Sequence, residues 1–294
     1  MSTIESKLST PSLAPAPATA TVASRVRHIG CVSFLNARPL IEGLDEGADP
    51  AVKFDVPSRL LDDLEAGDVD IALCPVIDFQ RSKTPLAIVP VGGIGCDGPT
   101  LTVRLYSRCP VAQLTEILID SDSHTSIALL RVLLAELHNL RPRLIDYHAR
   151  EHVADSRVVT DPQAMLLIGD KVITSAPSTE QYPHQVDLGE AWKKLTGLPF
   201  VFAVWMCRQG ASLGDLPAKL AATRHRNADR IDAIVARRAP KAGWPMDLAR
   251  LYLGQWLKYE IGPRQMQAME LFYAKAKEHG VIEALRPMVM HAAD

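Results

Sequence analysis

From Arg25 onward the chain alternates short apolar runs with segments whose apolar positions recur every three to four residues, the pattern of a mixed α/β protein. Residues 27–33 predict a strand that ends in the loop carrying Asn36. In 58–66, Leu60, Leu61 and Leu64 share one helical face and Gly67 stops the helix, after which 69–76 (VDIALCPV) reads as a buried strand. Strand, helix and strand in that order predict a parallel sheet, with ligands near the carboxyl ends of its strands.

Residues 101–107 and 116–120 continue the strand pattern, a Ser-rich turn at 121–126 precedes a strongly apolar helix over 127–140, and 164–168 forms a strand ending at Gly169 and Asp170. Leu188, Ala191, Trp192 and Leu195 have helical spacing with Gly197 as the cap, and 200–207 (FVFAVWMC) returns as a strand. Beyond about residue 212 the pattern is helical to the end. Helices without strands cannot build a third α/β unit, so they are expected to pack back on the first lobe, which makes the middle segment an insertion. The expected organisation is a tail over 1–24, lobe 1 from 25–107 plus 208–294, and an inserted lobe 2 over 108–207. Crossings near 101–108 and 200–208 would make this a hinged clamshell with its ligand in the cleft.

Composition narrows the partner. The 294 residues carry 32 basic and 34 acidic groups, a formal charge of -2, which supplies no basic excess for nucleic acid or an anionic membrane. A small molecule is expected instead. No stretch approaches the ~20 apolar residues of a membrane span, and no basic then apolar segment marks a secretory signal, so a cytoplasmic location is expected. Residues 2–24 are rich in Ser, Thr, Pro and Ala and read as a disordered tail. A transit peptide fits less well, since Arg is absent before Arg25 and Glu5 is present. The five cysteines form no C-x-x-C pair and read as reduced thiols.

Several motifs compete for the chemistry. Gly93 to Gly98 (GIGCDG) matches G-x-G-x-x-G, but Pro99 and a strand follow where a dinucleotide site needs a helix, so the segment reads as a turn with backbone near the cleft. Ser123, His124, Thr125 and Ser126 lie where a helix start suits a carboxylate or phosphate, and a plain N-cap by Ser123 or Thr125 is the equal alternative. His148 and His152, with Glu151, have helical spacing for a metal but no third ligand, and no metal is assigned. No G-x-S-x-G supports a hydrolase. Asp170 either faces the cleft or caps locally; Arg38 either clamps a ligand carboxylate or lies on the surface beside Pro39. Trp192, Trp205 and the C-terminal aromatics read as packing.

Six segments together carry a likeness: His28 to Leu40 (HIGCVSFLNARPL), Gly67 to Ile71 (GDVDI), Gly95 to Pro99 (GCDGP), Ser123 to Ser126 (SHTS), Leu167 to Asp170 (LIGD), and Asp187 to Trp192 (DLGEAW) followed by Thr196 to Trp205 (TGLPFVFAVW). Over about residues 26–290 the chain resembles the chorismate dehydratases of the futalosine route to menaquinone. The resemblance implies a type II periplasmic-binding-protein-like fold, loss of water from chorismate to give 3-[(1-carboxyvinyl)oxy]benzoate, and no metal or organic cofactor. It further implies that the substrate's enolpyruvyl carboxylate takes the proton and that an Asn and a Ser matter for activity. The Asn falls on Asn36 and the Ser on Thr102, which keeps the hydroxyl but departs from the family pattern. His124 stands where some relatives carry Arg. Asn36 and Thr102 are thus the expected catalytic pair, with Ser123, His124, Thr125, Ser126, Arg38 and Asp170 expected to bind chorismate in a monomer or homodimer. The sister enzyme 1,4-dihydroxy-6-naphthoate synthase and a non-catalytic carboxylate-binding protein are the alternatives.

Overall fold

The computed structural model describes residues 27–121, 123–146 and 162–292. The expected tail and the group of His148, Glu151 and His152 lie outside these residues. β1 (His28–Cys31) runs into a 3₁₀ turn, Leu35–Ala37, and then α1 (Arg38–Ile41), with Pro39 in the first turn where its missing N–H has no partner to lose. After β2 (Ala51–Phe54) comes α2 (Pro57–Ala66), which buries Leu60 and Leu64 and closes at Gly67 with φ 83°, a left-handed cap that favours glycine. β3 (Ile71–Pro75) is buried at every position, as its unbroken apolar run requires. α3 (Asp78–Arg81) and β4 (Leu86–Cys96) complete this part.

The next elements are β5 (Val103–Ser107), β6 (Glu116–Ile119), α4 (His124–His138), β7 (Arg143–Asp146), β8 (Ala164–Ile168), α5 (Lys171–Thr174), β9 (His184–Asp187) and α6 (Leu188–Thr196). β10 (Phe200–Arg208) follows, then α7 (Leu216–Ala228), α8 (Ile231–Arg238), α9 (Met246–Leu251), a π-helical turn at Tyr252–Trp256, β11 (Leu257–Lys258) and α10 (Pro263–Glu278).

Hydrogen bonding sorts the strands into two sheets, ordered β11-β4-β10-β3-β1-β2 and β7-β6-β8-β5-β9. β1 pairs parallel with β2 and β3, as the strand-helix-strand pattern predicts, while β10 runs antiparallel to both β3 and β4. The second sheet lies wholly within an interruption of the first. Its β5 joins β8 and β9, so Val103–Ser107 belongs with the inserted strands, and Phe200–Arg208 belongs to the first sheet. The expected bounds at 107/108 and 207/208 assign both strands to the other side. Both are the strands that follow a crossing, and long-range pairing, invisible to local periodicity, decides the sheet each joins.

α7 packs on β4 and α10 on β10, which returns the C-terminal helices to the first sheet. Among the described residues of that helical stretch, the strand Leu257–Lys258 is too short to show a period of two and pairs with β4, as Met290 does in a single bridge. Gly93 and Gly95 are a second departure: they lie inside β4 rather than in a turn. A Cβ on Gly93 would stand 2.6 Å from the Ala203 carbonyl oxygen, and one on Gly95 2.5 Å from that of Phe200, so close backbone approach demands both glycines. The Thr196 to Trp205 segment packs as expected: Trp192 donates to the Pro199 carbonyl at 2.9 Å and meets Phe200 and Phe272 edge-on. Among the described residues, no helix is long and apolar enough to cross a membrane.

Candidate functional site

A cleft between the two sheets encloses about 640 Å³ of empty space, its open mouth included. One wall comes from the ends of β1 and β3 (Val32, Phe34, Asn36, Pro75), the other from the start of α4 and the end of β8. Thr102 stands at the crossing between them. The Thr102 N–H donates to the Thr100 carbonyl at 2.7 Å across Leu101, whose φ of 64° is unfavourable for a residue with a Cβ. Asp187 holds this turn: its buried carboxylate accepts from the backbone N–H groups of Thr100 and Leu101, at 3.0 and 2.7 Å, while also capping α6 through Glu190.

The Thr102 hydroxyl lies 2.6 Å from that of Tyr252, the first residue of the π-helical turn, and the Asn36 side chain stands close enough to Tyr252 to oppose the effect of burial on its phenol. Burial pushes the Tyr252 phenol well above its ordinary range, so it stays protonated. Asn36 keeps one buried side-chain atom, Oδ1, without a hydrogen-bond partner. Asn36, Thr102 and Tyr252 therefore form one polar cluster at the floor of a mostly apolar cleft. Tyr252 gives no local signal in the sequence, because its part in the site depends on a partner 150 residues away and on a helical turn that departs from the 3.6 period.

Across the cleft, Ser123, His124, Thr125 and Ser126 all line the wall. Ser123 precedes α4 but makes no side-chain cap, and the Thr125 hydroxyl accepts from Ile77 N–H at 3.3 Å, so neither is a plain N-cap. The positive end of this 15-residue helix thus faces the cleft. His124 Nδ1 lies 2.8 and 3.0 Å from the two carboxylate oxygens of the fully buried Asp78.

Two expected ligand contacts go elsewhere. The Arg38 guanidinium is held 2.9 Å from Asp45 and lies over the Phe54 ring, two residues past Asn36 and off the cleft lining. Asp170 accepts from Trp244 Nε1 at 2.8 Å with the Leu35 backbone close by, and Trp244 stacks on Tyr252 at 4.8 Å. It braces the Asn36 turn and the Tyr252 ring from behind. Burial pushes its carboxyl up, opposed by the Trp244 bond and the Arg38 charge. Asp170→Ala is expected to lower folding stability by about 1–3 kcal/mol through the orphaned Trp244 N–H, with KM within about twofold of wild type. Urea denaturation and steady-state kinetics check this; a large KM rise in a normally folded variant would restore Asp170 to the ligand.

For metals, Glu136, Glu278 and His279 are the one cluster with ligand atoms near enough among the described residues, on α4 and at the end of α10. Lys275 already occupies Glu136 at 2.8 Å, and the cluster lies apart from the cleft.

Two sheets, an inserted second unit and a cleft at the crossings define a periplasmic-binding-protein-like fold. The protein AF1704 from Archaeoglobus fulgidus matches with a TM-score of 0.67 at 14% identity, covering 88% of this chain and 100% of that one. The periplasmic aliphatic sulphonate binding protein SsuA from Escherichia coli matches with a TM-score of 0.61 at 16% identity, covering 92% and 94%. A family model described as menaquinone biosynthesis matches residues 27–278, and the chain belongs to that family. It is also 29% identical over 168 residues to a chorismate dehydratase from Thermus thermophilus, an alignment covering 52% of this chain and 60% of that relative.

Proposed function

We propose that this protein is a chorismate dehydratase, a hydro-lyase that converts chorismate to 3-[(1-carboxyvinyl)oxy]benzoate in menaquinone biosynthesis. The observation that carries the reading is the cluster of Asn36, Thr102 and Tyr252, with its unpartnered amide oxygen, facing a helix N-terminus across an apolar cleft. The reaction removes the ring C3 proton and the C4 hydroxyl, and the aromatic ring formed supplies the driving force. The protein must hold a dianion, orient it and exclude water.

Among the described residues, no Asp, Glu or Lys lines the cleft, and Tyr252 is held protonated. As the family resemblance implies, the substrate's own enolpyruvyl carboxylate takes the proton. Asn36 receives the charge that develops as the proton leaves, or the C4 hydroxyl through its unpaired oxygen. With Tyr252 as the donor in the bond between the two hydroxyls, Thr102 can donate to the departing oxygen. Ser123, Thr125, Ser126 and the start of α4 take a substrate carboxylate.

Incubating the pure protein with chorismate and following the ultraviolet spectrum and the mass tests the reading. Loss of one water with growth of a benzoate spectrum is expected. Tight chorismate binding without conversion would instead favour a binding protein, and neither binding nor conversion would favour the sister naphthoate synthase.

A further inference from the structure

Chorismate carries two carboxylates, yet among the described lining residues of the cleft there is no Arg or Lys, and His124 is the one side chain able to carry a positive charge. Asp78 is fully buried, and its carboxylate meets the His124 ring through both oxygens. A buried carboxylate is costly to ionise without a cation at hydrogen-bond distance. The imidazole is accessible where the carboxylate is not: 30% of the His124 side chain is exposed against 1% of that of Asp78.

We propose that Asp78 and His124 share one proton and together form the hydrogen-bonding anchor for a substrate carboxylate, with His124 touching the ligand and Asp78 the positioning residue that keeps the imidazole protonated and aimed. This rests on the dehydratase reading for the identity of the ligand. Protonated, the pair is neutral overall with its positive end at the cleft wall. Once the proton is lost, a buried negative charge stands behind a neutral ring, and an anionic ligand is repelled. Binding should therefore weaken as pH rises through the pair's titration.

Among the described residues, the charged groups near Asp78 offset one another. Arg81 and Asp62 act on Asp78 with opposite sign, and Arg131 acts on Arg81. The Cys74 thiol and the Tyr273 phenol lie in the field of Asp78, and burial holds both protonated. Asp120, at the end of β6, is matched by Lys171. Burial pushes the Asp78 carboxyl up, while the His124 bond holds it down.

The test joins an NMR titration of the His124 ring with KM for chorismate as a function of pH, in wild type, Asp78→Asn, His124→Gln and His124→Arg. The His124 signal, assigned by its loss in His124→Gln, should titrate at lower pH in Asp78→Asn than in wild type, because the facing carboxylate is gone. KM should rise about 10-fold or more in His124→Gln at pH 6, with kcat changed far less, and should become nearly independent of pH in His124→Arg. An unmoved His124 titration in Asp78→Asn, or an unchanged KM in His124→Gln, overturns the proposal. A wild type that does not convert chorismate overturns the dehydratase reading instead, while the His124 titration still decides the pair.

Discussion

Asn36→Ala is expected to lower kcat for chorismate by about 10²–10³-fold while leaving the fold as stable as before or more so. The two effects point in opposite directions because of one atom. Asn36 Oδ1 is buried without a partner, and an unsatisfied buried polar group costs about 1–3 kcal/mol in the folded state. Such a cost persists where a ligand uses the atom. Alanine removes the orphan oxygen, so the thermal midpoint should hold or rise as turnover collapses. Single-turnover kinetics beside a thermal melt separate the outcomes: lost activity with a lowered midpoint would assign Asn36 to folding, and full activity would remove it from the site.

The parts of the molecule legible in the sequence are those set by local periodicity. β1, α2 and β3, the helix after the Ser turn and the strand before Gly169 all follow from runs of apolar residues and their caps, since each buries one face against the same core. Asn36 was visible for the same reason, as the polar residue where a buried strand ends. Arg38 misled because closeness in sequence is not closeness in direction: two residues along a helical turn, a side chain points to another face, here toward Asp45. The lobe bounds missed because antiparallel and parallel partners leave the same local pattern.

Tyr252, Trp244 and Asp78 could not be read from the chain at all. Each looks like an ordinary core or cap residue until folding places it against a partner, Tyr252 on Thr102, Trp244 on Asp170 and Asp78 on His124. The site is thus assembled from four stretches: the loop after β1, the crossing before β5, the start of α4 and the π-helical turn near the C-terminus. Only the first and third carry a sequence signal of their own. The second is marked by resemblance alone, and the fourth by nothing.

Thr102→Val tests that assembly most directly, because valine keeps the shape and removes only the hydroxyl. A fall in kcat of about 10²-fold is expected, whereas Thr102→Ser should keep or raise the wild-type rate, since the hydroxyl stays and the methyl that restricts χ1 goes. The loss should be shared with Tyr252. The two hydroxyls lie 2.6 Å apart in a buried setting, so removing either leaves the other without that partner. In a double-mutant cycle, Thr102→Val with Tyr252→Phe should cost scarcely more than the worse single change, a coupling of roughly 1–3 kcal/mol in the activation free energy. Additive losses would mean that the two hydroxyls act on the reaction separately, and Tyr252 would then be a direct donor to the substrate rather than the group that turns the Thr102 proton toward it.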